Sequence, residues 1–148
     1  MIRKIQACDK IELNYSKNDI WNTLIDIPNY HKWWPKVAKI EVSNFSNNIT
    51  GTEFIVKPFN GQSFSCIIES LFPQDEIILN YFEGLYRGYG KWKINENSNS
   101  TVLSYEVDLI IVNKLIIVLS CLLPISKLHS IVFQKIFSGL RNYLSSRQ

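Results

Sequence analysis

The sequence predicts an α+β domain: a curved antiparallel sheet of about seven strands wrapped around a long C-terminal helix, with two short helices after the first strand. Three observations carry that expectation. Apolar residues alternate with polar ones in successive segments joined by short, turn-rich loops, the pattern of an antiparallel meander. Between Ser16 and Pro35 the chain reads as a capped helix, a break and a second short helix holding paired tryptophans. From Leu128 to Leu144 apolar residues recur at helical spacing and cover more than one stripe, so that helix must pack on more than one surface.

The elements follow in order. Ile11, Leu13 and Tyr15 alternate with Glu12 and Asn14 as a half-buried strand. Ser16 then stands as an N-cap with Asp19 three residues on, and Ile20, Trp21, Leu24 and Ile25 give about two helical turns. Pro28 breaks that helix and opens the next, which Pro35 ends. Strands are expected at 37–45, 52–59, a segment through Phe64, Cys66 and Ile68, then 77–83, 86–94 and 101–112. Ser46–Gly51, Asn60-Gly61, Pro73-Gln74-Asp75, Gly84 and Asn95–Ser100 supply the turns. Pro124 separates the last helix from a preceding apolar segment. No repeat or linker interrupts the series, so residues 1–148 are expected to form one domain, long enough to bury roughly 70% of the unfolded surface.

Charge is uneven. The net charge is +3, but residues 1–112 carry −2 while residues 113–148 hold Lys114, Lys127, Lys135, Arg141 and Arg147 and no acid. Such a segment is either a solvated helix face or a basic surface for peripheral membrane contact. The cations are too dispersed, in too acidic a chain, to mark a nucleic-acid interface. The most apolar run, Leu115–Ile125, would span about 16 Å as a helix, roughly half of a ~30 Å hydrocarbon core. The N-terminus shows no signal peptide, which points to the cytoplasm, with the membrane surface as the other location.

Cys8, Cys66 and Cys121 are far apart and without CxxC spacing, so they are expected to be buried small hydrophobes with no disulfide or metal role. His31 and His129 are isolated in sequence, and no Ser/His/Asp or Cys/His constellation is apparent; no cofactor is implied.

Several motifs are similar to those of a known superfamily. The stretch Ser16-x-x-Asp19-Ile20-Trp21-x-x-Leu24-x-Asp26, followed by Tyr30-His31-Lys32-Trp33-Trp34-Pro35, resembles the opening of SRPBCC proteins, as do Gly88–Ile94 and Ser100–Tyr105 later. That superfamily includes START and Bet v 1-like domains, polyketide cyclases and lipid-transport proteins. The resemblance implies a helix-grip fold with a deep apolar cavity between sheet and terminal helix. The very apolar Leu115–Ile125 departs from the polar loop or short helix that many such proteins have there.

Strand alternation then nominates the lining. Phe54, Val56, Phe64, Cys66, Ile68, Leu79, Tyr81, Glu83, Trp92 and Tyr105 should face inward, with Val132 and Ile136 from the helix. Tyr81 and Tyr105 are the better ligand contacts, because a buried hydroxyl needs a partner. Glu83 has three readings: a solvated strand end, an acceptor for a ligand hydroxyl, or a general base raised by burial. Trp21, Trp33 and Trp34 read as packing of a lid, with Trp33 or Trp34 able to guard an entrance. The expected function is binding or carrying a small hydrophobic ligand that is lipid-, polyketide- or quinone-like. The alternatives are a polyketide cyclase or dehydratase using Glu83, and a membrane-associated helper. Oligomeric state is left open.

Overall fold

A computed structural model describes residues 2–148. Its sheet has seven strands: β1 (Arg3–Leu13), β2 (Ala38–Asn44), β3 (Glu53–Pro58), β4 (Phe64–Phe72), β5 (Glu76–Gly84), β6 (Tyr86–Glu96) and β7 (Thr101–Ile111). They pair antiparallel in the order β1-β7-β6-β5-β4-β3-β2. The chain therefore lays down β1, crosses the domain, and builds the other strands as a meander until β7 returns alongside β1. That pairing runs the full strand length, from Arg3 opposite Ile111 to Leu13 opposite Thr101. Tyr15, expected to extend this strand, lies beyond its end, where its carbonyl accepts from the Thr101 hydroxyl.

The crossing contains α1 (Lys17–Ile25) and a 3-10 turn (Ile27–Lys32). Ser16 caps α1: its Oγ accepts from the Asp19 amide at 3.1 Å and donates to the Asp19 carboxylate at 2.7 Å. Ile20, Trp21, Leu24, Ile27, Tyr30 and Trp33 are buried, which docks both short helices onto the sheet's concave side. His31 remains exposed on the turn. After β7 come α2 (Lys114–Ser120) and α3 (Ile125–Ser146), bent at 94° to one another through residues 121–124. Asn113 caps α2 by accepting from the Ile116 amide. Among the described residues no single helix is long and apolar enough to cross a membrane.

The long helix lies in the palm of the sheet. Phe133 stacks on Tyr105 of β7 with centroids 4.2 Å apart, and Trp92 of β6 meets both Phe133 and Phe137. Its buried residues are Val132, Phe133, Ile136, Phe137, Leu140 and Leu144, the wide apolar face read from the periodicity. Gly139 allows the closest approach: a Cβ there would sit 2.0 Å from the Trp33 carbonyl oxygen. The helix thus packs on the sheet and on the segment after the 3-10 turn, which accounts for a face wider than one stripe.

Three local expectations need correction. Glu83 does not face inward. In β5 Tyr81 pairs with Cys66 while Glu83 pairs with Ser65, leaving Phe82 as an extra residue, and this bulge reverses the alternation. Glu83 is therefore exposed and Gly84 takes the inward position opposite Phe64. Of the cysteines only Cys66 is buried; Cys8 sits at an outward position of β1 and Cys121 in the turn after α2, both exposed. The β3–β4 turn centres on Phe59-Asn60, one residue earlier than the Asn-Gly pair implies. Both residues have positive φ (52° and 56°), and the Gly61 amide closes the turn on the Pro58 carbonyl.

Candidate ligand-binding site

Inward side chains do not fill the palm completely. Beneath the N-terminal half of α3 lies a hollow of about 270 Å³, walled by β2 to β7, the 3-10 turn and α2. Eleven of the twelve residues nominated by alternation line it: Phe54, Val56, Phe64, Cys66, Ile68, Leu79, Tyr81, Trp92, Tyr105, Val132 and Ile136. Glu83 does not, being turned outward by the bulge. Trp34 also lines the hollow, whereas Trp21 and Trp33 are buried packing. At this size, close to the ~300 Å³ lower bound of ligand pockets, it suits one small ring system or chain.

The walls are aromatic on several sides. Phe64 stacks on Tyr81 at 5.2 Å, Tyr30 stacks on Phe54 at 6.0 Å, and Trp92 meets Tyr105 edge-on at 4.7 Å. Parallel and edge-on rings of this kind match the faces and rims of a flat apolar guest. The main internal polar feature is the Tyr81–Tyr105 pair, whose hydroxyls are 2.5 Å apart. Gly90 of β6 makes the pair possible. A Cβ there would stand 2.2 Å from the Tyr105 hydroxyl and 2.9 Å from the Tyr81 ring.

Electrostatically the interior is quiet. Burial pushes the Tyr81 and Tyr105 phenols well above their ordinary value, so both stay neutral hydroxyls. Burial likewise pushes the Cys66 thiol up to about 12, which makes it a poor nucleophile near neutrality. Among the described lining residues there is no Asp, Glu, Lys or Arg, and the described residues contain no cluster of metal-ligating side chains.

The rim is assembled from the β3–β4 turn and the α2–α3 elbow. Phe59, Gly61 and Gln62 line it on one side, Ile116, Leu119 and Leu123 on the other. Asn113, the cap of α2, donates its amide to Gln62 Oε1 at 2.7 Å and so ties the two sides together. Sequence reasoning identified the sheet walls but missed this rim and Tyr30, Tyr86, Leu109 and Phe133, which also line the hollow. Phe133 was legible from the helix stripe; the rim depends on how loops meet.

No known family pattern matches the chain, and no curated protein does either. Solved structures do match over nearly its whole length. A START superfamily protein from Mycobacterium smegmatis aligns with a TM-score of 0.73 at 13% identity, covering 97% of this chain and 99% of that one. A Thalictrum norcoclaurine synthase point mutant gives 0.70 at 12% identity, with 99% and 98% covered. The di-domain ARO/CYC from the steffimycin biosynthetic pathway gives 0.72 at 15% identity; 97% of this chain matches 51% of that protein. Likeness at these identities establishes architecture, and the architecture is the helix-grip fold of the START and Bet v 1-like proteins.

Proposed function

We propose that the protein binds a small, flat, hydrophobic molecule in this hollow, as a carrier or sequestering module. The single observation that carries the reading is an apolar, aromatic-walled cavity left open inside an otherwise packed fold. Walls free of charged side chains favour a guest without a formal charge. The Tyr81–Tyr105 hydroxyls provide a neutral polar point to orient it. A cyclase or dehydratase working through Glu83 is disfavoured, because that carboxylate is exposed outside the hollow. Naphthalene is a suitable probe, since Trp92 and Trp34 line the space and report through their fluorescence. Saturable quenching, with native mass spectrometry showing one bound molecule, supports the reading. Linear, non-saturating quenching and no retained apolar molecule on extraction of the purified protein would overturn it.

A second reading, contact with an anionic membrane through residues 113–148, rests on a separate observation. Leu115, Val118, Leu119 and Leu122 follow helical spacing and are 67%, 62%, 40% and 80% exposed, forming an unpaired apolar face beside the rim. Lys114 and Lys127 flank that face, and no acid lies in the segment. Co-sedimentation with phosphatidylserine vesicles that falls with salt and with Leu122→Asp supports it. Equal recovery with and without vesicles would remove it.

A further inference from the structure

One buried acid–imidazole pair stands at the edge of the hollow. Asp9 occupies an inward position of β1, in line with Ile5 and Leu13, and is 7% exposed. It faces His129 of α3, whose Nδ1 lies 3.6 Å from Asp9 Oδ2. Both atoms are sealed from solvent and neither has a hydrogen-bond partner. His129 is also part of the cavity wall, and its ring stacks on Phe133 at 4.7 Å, itself stacked on Tyr105. An acid and an imidazole, remote in sequence, thus meet at the edge of an otherwise uncharged hollow.

The chemistry of such a pair is directional. His129 holds the Asp9 carboxyl below its ordinary range, with Ser130 and Gln134 of α3 adding to that effect against the cost of burial, so Asp9 is a carboxylate. A carboxylate opposite Nδ1 favours the tautomer with its proton there. Nε2, on the other edge of the ring, is then a lone-pair acceptor. The remaining groups facing the pair are the neutral Tyr105 from β7 and the side chains of Ser130 and Gln134 from α3. Imidazole is the side chain suited to exchange protons near neutral pH, and the buried phenols and thiol of this wall are not.

We propose that His129, oriented by Asp9, is the proton-accepting anchor of the cavity, and that it selects hydrophobic ligands carrying a phenolic or enolic hydroxyl. The ligand O–H donates to Nε2. On full transfer the proton resides on Nε2 and the electron pair stays on the ligand oxygen, leaving an imidazolium between the Asp9 carboxylate and the ligand oxyanion. His129 is the binding residue and Asp9 a positioning residue. This inference rests on the cavity reading, and the test separates the two.

The probes are 2-naphthol and naphthalene, which share a shape and differ in one hydroxyl. The wild-type protein should prefer 2-naphthol by about fivefold, the scale of one retained buried hydrogen bond. Bound 2-naphthol also reports its proton acceptor, since its emission moves to the naphtholate band when the excited hydroxyl transfers its proton. His129→Phe, which keeps an aromatic ring against Phe133, should lose the preference, measured as the ratio of the two affinities in that variant, and emit from the naphthol band. Asp9→Asn should reduce both the preference and the naphtholate emission while naphthalene binding stays. A preference and an emission unchanged in His129→Phe would overturn the proposal while leaving the cavity reading intact. Failure of both probes to bind the wild type would overturn the two together.

Discussion

The two halves of α3 do different things with the same kind of residue. Residues 137–144 close on a solid core: Phe137 and Leu140 are fully buried, as are Leu13, Ile20, Leu24, Ile94 and Leu103, and none of these touches the hollow. This end is tied down by polar contacts as well. Arg141 donates to the Glu12 carbonyl at 3.2 Å, and the Tyr15 hydroxyl meets Ser145 Oγ at 2.9 Å. Residues 128–136 lie over the hollow instead, with Leu128, His129, Val132, Phe133 and Ile136 on its wall. The lesson is that stability and capacity are spatially divided along one helix. The packed end anchors the rod, so the other end can span empty space without collapsing onto the sheet.

Substitutions should separate the two ends. Leu140→Ala removes a fully buried side chain from the solid end and should cost about 3 kcal/mol, measured by urea unfolding. Gly90→Ala drives a methyl into the Tyr105 hydroxyl and the Tyr81 ring; a loss of about 2 kcal/mol is expected, with naphthalene binding also impaired. Val132→Phe places a ring in the hollow, so it should abolish naphthalene binding while stability holds or rises by about 1 kcal/mol. Comparable destabilisation by Leu140→Ala and Val132→Phe would erase the distinction between the ends.

Smaller effects probe the chemistry of the hollow. The folded-state pKa of Asp9 is depressed, so its contribution is present above the unfolded carboxylate value of about 4 and is lost as pH falls below it. Asp9→Asn should therefore flatten the acid limb of the stability profile and change little of its shape at neutral pH. Cys66, held as a thiol by burial, should resist iodoacetamide at about pH 8 while exposed Cys8 and Cys121 react, as peptide mass mapping would show.

Where sequence reasoning worked and where it stopped follows from the range of each signal. The walls were legible because alternation on β3, β6 and β7 is unbroken, which put Phe54, Val56, Trp92 and Tyr105 on one face. Glu83 was misplaced because the bulge at Phe82 arises from the pairing of β5 with β4, a property of two strands together. Asp9 did leave a trace, as the acidic residue at an inward position among Ile5, Ala7, Ile11 and Leu13, but nothing in β1 alone names its partner. That partner comes from α3, which meets β1 only in the folded domain.

Local sequence set most of the elements and the inward faces of the strands that carry no bulge, since caps, prolines and hydrophobic periods act over a few residues. Tertiary structure alone decided which inward residues pack and which line open space. It also decided that Asp9 meets His129 and that the β3–β4 turn is latched to α2. Those outcomes depend on how a twisted sheet fits a straight rod, and that fit is set by all the strands at once.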